Sequence, residues 1–336
     1  MSLLIEVDGK RGFRAVSHNI IRSEIGGFEQ RVGAEDKNGM TVVELLVAIA
    51  IVGILVAICL PAIQYAREAA RRLSCQNNLK QFGTAVASYH DAQRVVPISV
   101  SPWREGSNPA PQRNGKGWIV SILPMLEAGS VYEKISPGFY GDFFAGGGLM
   151  DPNVRQALAL DLEVLHCPSD SSGLKSNSQY DFNGIEVTLT SYKGVIGDTR
   201  IGDARSVHGG SQPDCHRMGG CNGMFHRNTY QCPISFGEVS DGLSNTFLIG
   251  EDVTTENIWS VAYSANGDYA SCNGRINYFP NTPNQWWNVV TFRSMHPGGT
   301  QFVMVDGSVH FVSQSIDMTA YRALSTRYGN EPAALP

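Results

Sequence analysis

The longest apolar run of the chain lies between Leu45 and Ile63, nineteen residues without a charged side chain. Most of these residues are Ala, Val, Ile or Leu. A helix needs about 20 apolar residues to cross the hydrocarbon core of a bilayer. The pattern therefore predicts a membrane-spanning helix over residues 40–63. One carboxylate, Glu44, stands at the N-terminal edge of the run, where it needs an explanation because a charge at the membrane centre costs about 2.5–3.5 kcal/mol.

Beyond Ile63 the apolar positions recur at spacings of mostly three and four residues, which is typical of an amphipathic helix. They are Ala66, Ala69, Ala70, Leu73, Cys75, Leu79, Phe82, Val86 and Tyr89. The helix is expected to continue over residues 64–97 and to end at Pro97, because the residue before a proline disfavours helical backbone. Its apolar face requires a folded domain against it. The charged residues between the apolar positions are expected in solvent or at lipid headgroups; they are Arg67, Glu68, Arg71, Arg72 and Lys80.

Residues 98–336 predict a domain in which short apolar segments alternate with Gly, Asn and Asp turns. Alternation and β-branched residues favour strands at residues 187–195, 223–226, 246–249, 259–263, 289–292, 302–305 and 308–312. Asp306-Gly307 lies between the last two segments and predicts a two-residue hairpin turn. The expected fold class is α+β, with a long N-terminal membrane-spanning helix packed on a C-terminal, antiparallel β-rich domain.

Composition narrows the functional classes. Charged residues make up 17% of the 336 residues, there are 36 glycines, and the net charge is −5. This indicates a loop-rich protein without the basic charge that a nucleic-acid partner requires. Seven cysteines are more typical of an oxidising compartment than of the cytosol.

The start of the apolar run contains a distinctive junction. Gly39 precedes Met40, Glu44 is the fifth residue after that junction, and Pro61 is the twenty-second. This arrangement resembles the class III signal of type IV pilins and of the pseudopilins of type II secretion systems. Met40, where Phe is usual, and the long leader depart from the pattern. The alternative is an ordinary membrane anchor or an uncleaved signal, but a bare anchor has no use for Glu44 at its outer turn.

The resemblance implies a processing pathway. In that family a membrane aspartyl peptidase cuts after the glycine and methylates the new N-terminus. Residues 1–39 are then a leader, the cut falls between Gly39 and Met40, and the prepilin peptidase/methyltransferase is a partner. Other pilin-like subunits and the lipid bilayer are the remaining expected partners, with Glu44 meeting the N-terminal amine of a neighbouring subunit. No nucleic acid is expected to bind.

Three further blocks carry a second resemblance. The first block consists of residues 74–83 with Tyr89-His90 and residues 167–170. The second is residues 234–251, which include Asp241, Asn245 and Glu251. The third is His296, followed after nine residues by Asp306-Gly307. Together they are similar to a large family of pilin-like proteins that carry a domain of unknown function, DUF1559, and abound in planctomycete bacteria. The resemblance implies a pilin-like fold, a single pass through the cytoplasmic (inner) membrane, and an extracytoplasmic DUF1559-type domain at residues 98–336.

The polar residues of these blocks have two interpretations. In the first they stabilise turns: Asp241, Asn245 and Asp306 cap loop amides, and Gly307 completes the hairpin. In the second, His296, Asp306, Asp241 and Glu251 share a ligand or catalytic site, with calcium as the candidate ion because it takes about 6–8 oxygen ligands. The sequence has no EF-hand, no closely spaced zinc-ligand pattern, and no Gly-x-Ser-x-Gly, His-Glu-x-x-His or Walker pattern. No enzymatic activity and no cofactor are therefore expected, with calcium retained as the alternative.

Cys59 lies in the membrane run and is expected to be a small apolar residue. The other six cysteines are Cys75, Cys167, Cys215, Cys221, Cys232 and Cys272, which allow 15 connectivities. Cys75 and Cys167 belong to the blocks that resemble the DUF1559 family and are expected to form one bridge between helix and domain. The remaining four are then expected to form two local bridges. The alternative for this group is a zinc site at Cys215, His216, Cys221 and Cys232.

The expected function is that of a pilin- or pseudopilin-like structural subunit in a type II secretion or type IV filament system. The alternative is a membrane-tethered binding module for glycan, peptide or calcium. Such a module would use the region of His296 and Asp306, with Trp286-Trp287 as a partner contact. A third hypothesis is a hydrolase that uses the same polar loops. Replacing Glu44 separates the first two hypotheses, because only a filament subunit needs that carboxylate.

Overall fold

The computed structural model describes residues 40–103, 113–200 and 221–329. The chain forms two compact units, residues 1–57 and residues 58–336. The expected leader, residues 1–39, lies outside the described residues. In the first unit the described part is helical from Val42 onward, and each of its residues is exposed to solvent.

The helix α1, Val42–Gln93, begins with a capping box. Thr41 donates from its backbone N–H to Glu44 Oε2 at 2.8 Å, and the Glu44 N–H donates to Thr41 Oγ1 at 3.3 Å. This reciprocal pattern satisfies two amides that a helix start otherwise leaves without partners. Among the described residues, α1 is the one helix long and apolar enough to span a membrane.

Within the second unit, α1 ends three residues earlier than expected from Pro97. Arg94 adopts a left-handed conformation, with φ of 63°, and its N–H donates to His90 O at 2.7 Å. A left-handed residue after the last helical turn closes a helix in this way. The expectation that the helix reaches residues 96–97 was therefore too long, because a local backbone cap acts before the proline does.

The remaining elements are short. After α1 the α-helices are α2 Trp118–Ile122, α3 Gly129–Ile135, α4 Pro152–Arg155, α5 Trp286–Val289 and α6 Met318–Ala323. The strands are β1 Lys175–Ser176, β2 Val187–Thr188, β3 Tyr192–Val195, β4 Phe247–Glu251, β5 Tyr269–Ala270, β6 Gly299–Met304 and β7 Val309–Ser313. The 3₁₀ helices are Leu123–Leu126, Ser136–Phe139, Phe143–Ala145, Gly148–Met150, Ala157–Ala159, Glu163–Leu165, Tyr180–Phe182, Phe236–Glu238, Leu243–Asn245 and Thr254–Glu256.

The main sheet has five strands in the order β5-β3-β4-β6-β7, and β1 pairs with β2 in a separate ladder. All pairs are antiparallel except β3 with β5. The fold is α+β and pilin-like, with a long N-terminal helix. The predicted hairpin is present, since β6 and β7 pair antiparallel around Asp306-Gly307. Its loop is longer than the expected two residues, because the Gly307 N–H donates to Met304 O and the Met304 N–H donates to Ser308 O.

Several strand predictions were wrong. The segment 187–195 splits into β2 and β3, because Thr190 and Ser191 donate their amides to Ser260 O and Leu165 O instead of to a continuous ladder. Residues 223–226 form no strand, and residues 259–263 contribute only an isolated bridge between Leu189 and Val261. Residues 289–292 begin at the last residue of α5 and continue as a loop. The two-residue strand β5 was not predicted.

The five-stranded sheet separates two cores, and the alternation along β6 shows how. Val303 faces the larger core, which contains Leu79 and Phe82 of α1. Phe302 and Met304 face the opposite way, into a smaller core with Tyr321 of α6. Successive side chains of a strand point to opposite faces of a sheet, so the second half of α1 covers one face and α6 the other.

Candidate functional site

The residues expected to form one polar site separate into two groups at opposite ends of β6. His296 lies before the first residue of β6, beside Glu251, the last residue of β4. Asp306 and Gly307 lie beyond the other end, in the turn to β7. Asp241 and Asn245 belong to the neighbouring loop, where the Asp306 N–H donates to Leu243 O at 3.0 Å.

The Cys75–Cys167 disulfide lies next to His296 and Glu251. It joins α1 to the domain across 92 residues of sequence. The sulfurs, His296 Nε2 and a Glu251 carboxylate oxygen lie within 4.8 Å of one another, and all four residues are buried. We call Cys75, Cys167, Glu251 and His296 the cysteine–histidine cluster. His296 Nε2 is 3.4 Å from Cys167 Sγ and 3.7 Å from Glu251 Oε1.

Glu68 on α1 fixes the orientation of the His296 ring. Its Oε1 lies 2.5 Å from His296 Nδ1, although the two residues are 228 positions apart in sequence. Burial raises the pKa of Glu68, but hydrogen bonds from His296 and Arg71 outweigh it and hold that pKa below its ordinary value. The ionised carboxylate accepts a hydrogen bond from the Nδ1–H of His296, and Nε2 faces the other members of the cluster.

Glu251 interacts with the Ser294 side chain, and its Oε1 lies 3.7 Å from His296 Nε2. Its Oε2 accepts hydrogen bonds from the Gln301 N–H at 3.0 Å and from Thr300 Oγ1 at 3.2 Å. Its Oε1 has no hydrogen-bond partner among the described residues. Burial raises the pKa of this carboxyl, against the attraction of His296. An unsatisfied buried carboxylate oxygen is rare in native proteins and calls for a partner.

The second group has the geometry of stabilised turns. Asp306 Oδ1 accepts from the N–H and the hydroxyl of Ser308, at 2.8 and 2.7 Å. Gly307 has φ of 81° and its carbonyl accepts from Lys80 Nζ at 2.7 Å. Asp241 Oδ2 accepts from the Gly329 N–H at 2.7 Å, and Asn245 Nδ2 donates to the Asp241 carbonyl. These contacts use the carboxylates for loop closure, and they do not direct them toward His296.

Comparison with known families gives two matches. A family model described as a protein of unknown function (DUF1559) matches residues 64–319, and a model of the prokaryotic N-terminal methylation motif matches residues 36–60. The chain belongs to the DUF1559 family. No curated protein and no solved structure matches it. Neither family description names a catalytic activity.

The methylation motif and the long apolar helix make this DUF1559 protein a membrane-anchored, pilin-like protein of the kind that prepilin peptidase processes. Of the residues expected to take part in processing, Gly39 lies outside the described residues, whereas Met40 and Glu44 are exposed. Glu44 has the local capping role described above, which the sequence interpretation overlooked. The signal was present, because Thr41 followed three residues later by Glu44 is a capping-box pattern.

The cysteines of the DUF1559 domain correct one expectation. The Cys75–Cys167 bridge is the one expected from the family blocks. Cys221 is also disulfide-bonded, but Cys232 and Cys272 carry free thiols. Two local bridges among the last four cysteines were therefore the wrong expectation, since two of their members are unpaired. Cys215 and His216 lie outside the described residues.

Four charged residues of α1 that were expected in solvent or at headgroups instead contact the DUF1559 domain. Arg71 donates to Ser169 Oγ at 3.2 Å, and Arg72 donates to Pro297 O at 3.1 Å. Glu68 and Lys80 are the other two. Glu68 contacts His296, and Lys80 contacts Gly307. Helical periodicity places all four residues on the polar face but says nothing about distant partners. The tryptophan pair Trp286-Trp287 forms the start of α5, with the two rings edge to face at 5.6 Å and both side chains half-buried.

Proposed function

We propose that the protein is made as a prepilin, cut between Gly39 and Met40, and methylated on Met40. It then serves as a structural subunit in a type II secretion or type IV filament assembly. In this proposal residues 40–63 span the cytoplasmic (inner) membrane and residues 98–336 lie outside the cytoplasm. The peptidase carries out the cutting and the methyl transfer.

The observation that carries the proposal is the match of residues 36–60 to the N-terminal methylation motif, directly at the start of α1. Large apolar side chains from Met40 to Ile63 remain exposed in the isolated chain. A continuous exposed apolar surface of this kind marks a surface that lipid or other subunits cover. A pilin-like helix can be covered by lipid or by other subunits.

The capping box refines the role of Glu44. Thr41 donates to the Glu44 carboxylate from both its N–H and its hydroxyl, at 2.8 and 2.9 Å. Within the single chain the carboxylate is therefore hydrogen-bonded, which supports helix formation from Val42. In an assembly we assign it a second partner, the N-terminal amine of an adjacent subunit, whose charge is opposite.

The test is N-terminal mass spectrometry of the protein produced together with a prepilin peptidase. The expected mature chain starts at Met40 and carries one methyl group on its amine. Gly39→Val should block the cut, whereas Gly33→Val, within the leader but away from the junction, should leave it intact. A mature chain that starts elsewhere, or an uncut chain in the presence of an active peptidase, would contradict the proposal.

A further inference from the structure

The cysteine–histidine cluster contains more chemistry than a structural disulfide requires. A disulfide between two buried cysteines needs neither a histidine nor a carboxylate beside it. Here His296 and Glu251 are both buried next to the sulfurs, and Glu251 Oε1 lacks a hydrogen-bond partner among the described residues. Burying such groups costs free energy unless they have a partner or coordinate a metal.

We propose that the reduced form of Cys75 and Cys167 binds one zinc ion together with His296 and Glu251. Two thiolates, one imidazole nitrogen and one carboxylate oxygen are a ligand set of the type that zinc takes in proteins. The four ligand atoms lie within 4.8 Å of one another. They come from three separate parts of the fold: α1, the segment around residue 167, and the neighbouring ends of β4 and β6.

The distances fit a tetrahedral ion. Zinc–ligand bonds of about 2.0–2.3 Å place a nitrogen about 3.6 Å from a thiolate sulfur and about 3.4 Å from a carboxylate oxygen. His296 Nε2 is 3.4 Å from Cys167 Sγ and 3.7 Å from Glu251 Oε1. The other ligand pairs lie within 4.8 Å of one another, and the two sulfurs, which are bonded in the disulfide, must separate to about 3.8 Å around zinc.

The surroundings of His296 are those of a metal-bound histidine. A ligating histidine usually donates its other ring N–H to a carboxylate, which fixes the ring and makes the ligand more basic. Glu68 occupies that position, 2.5 Å from Nδ1. Arg71 donates to the same Glu68 side chain at 2.7 Å and partly offsets the negative charge of the ligand set. Soft thiolates and an imidazole select zinc over calcium, which takes oxygen ligands.

The disulfide and the zinc site exclude each other, because each uses both sulfurs. Reduction by a dithiol breaks the Sγ–Sγ bond: two electrons and two protons pass to the cysteines, and the dithiol becomes a disulfide. Zinc then displaces one proton from each thiol. Both the disulfide and the zinc site join α1 to the domain. Redox conditions and the supply of metal determine which of the two links is present.

The test uses the full chain in detergent micelles, reduced with a water-soluble phosphine under anaerobic conditions and titrated with Co²⁺ and then Zn²⁺. Cobalt reports thiolate ligation through charge-transfer bands and tetrahedral geometry through visible bands. Reduced protein should take up one more equivalent of metal than the Cys75→Ser/Cys167→Ser variant, which retains the other five cysteines. Oxidised protein should show no thiolate bands from this site.

Conservative variants assign the other ligands. Glu251→Gln and His296→Gln should weaken Co²⁺ binding at least about 10-fold, and Glu68→Gln, which changes only the group behind His296, by about 10–100-fold. Cys232→Ser should have no effect, since that free cysteine lies outside the cluster. Formation of the Cys75–Cys167 bridge on reoxidation, mapped by mass spectrometry, shows that each variant still assembles the cluster.

Two results would overturn the assignment. One is equal metal uptake by the reduced parent protein and the double-serine variant. The other is metal binding that Glu251→Gln and His296→Gln leave unchanged while both variants still form the bridge. In either case His296, Glu68 and Glu251 would serve only to join the helix to the sheet.

Discussion

Lys80 Nζ donates a hydrogen bond of 2.7 Å to the carbonyl of Gly307, in the turn that leaves β6. At the other end of β6, His296 bonds to Glu68 on the same helix. The two helix positions are twelve residues apart, or about 18 Å at the rise of an α-helix. The histidine and the Asp-Gly pair, separated by nine residues, thus attach both ends of one strand to α1.

The Gly307 turn gives the first prediction. Gly307 has φ of 81°, a conformation that other L-residues adopt at a cost of about 1–2 kcal/mol. Gly307→Ala should lower the free energy of unfolding by about that amount, measured by urea unfolding in detergent. Gly129→Ala is the matched control, because Gly129 is the first residue of α3 and a Cβ there meets no atom within 4 Å. A Gly307→Ala variant as stable as the control would show that the turn carries no strain.

The Cys75–Cys167 disulfide gives the second prediction. It closes a segment of 92 residues between α1 and the domain. Removing a native bridge of this kind costs about 2–5 kcal/mol, so Cys75→Ser/Cys167→Ser should unfold at lower urea than the oxidised parent. Cys232→Ser should unfold like the parent. The comparison must be made without added metal, and equal midpoints for all three proteins would contradict the expected stabilisation.

The sequence predicted the parts of this fold that depend on local pattern. The amphipathic spacing from Ala66 to Tyr89 predicted the second half of α1, and Asp306-Gly307 predicted the β6–β7 hairpin. The two-residue strand β5 was missed, because two residues carry no periodicity. The Glu68–His296 contact was missed for a different reason: no local pattern reports a partner 228 positions away. The Cys75–Cys167 pairing came from the family blocks and not from cysteine spacing.

The buried carboxyl group of Asp268 gives the third prediction. Asp268 is fully buried; its Oδ2 accepts from the Trp118 N–H at 2.6 Å, and Oδ1 has no hydrogen-bond partner among the described residues. Burial raises the pKa of Asp268 to about 8, against the attraction of Lys193. The ordinary value is 3.8, so between about pH 4 and pH 8 the folded state holds a proton that the unfolded state has lost. The Asp268 contribution to stability must therefore fall as pH rises through this range.

Asp268→Asn removes this titration while its amide oxygen can still accept from Trp118. Unfolding free energies at pH 5 and pH 8 should then differ less in the variant than in the parent, and the variant should gain relative to the parent at pH 8. The difference between the two proteins isolates Asp268 from Lys193 and other titrating groups. A pH dependence that is unchanged by the substitution would place the pKa of Asp268 near its ordinary value.

Glu44 gives the fourth prediction, because its two roles respond differently to substitution. Glu44→Gln retains the acceptor of the capping box but removes the charge, whereas Glu44→Ala removes both. If the proposed assembly depends on the amine of a neighbouring subunit, both variants should be cut normally and both should fail to incorporate into filaments. Thr41→Ala should weaken the cap by about 1 kcal/mol and still incorporate, since the carboxylate remains. Incorporation of Glu44→Gln at the parental level, measured by sedimentation of sheared filaments, would assign Glu44 to capping alone.

The close approach of α1 to β6 gives the last prediction. Gly83 lies in the middle of the helix, where Ala is favoured over Gly by about 1 kcal/mol on propensity alone. A Cβ at Gly83 would stand 2.7 Å from Val303 Cγ2, and the short, buried valine side chain has little freedom to move away. Overpacking costs about 1–3 kcal/mol, so Gly83→Ala should destabilise the protein despite its better helix propensity.

Gly53→Ala on the same helix is the control for propensity, because a Cβ there meets no atom within 4 Å. It should leave urea unfolding of the domain unchanged. Val303→Ala removes the opposing methyl groups, so in the double variant the methyl group added by Gly83→Ala occupies part of the vacated space. The double variant should therefore lose less free energy than the sum of the single variants, with a coupling of about 0.5–3 kcal/mol. Additive losses would mean that Gly83 and Val303 are not in the tight contact that brings the helix onto the sheet.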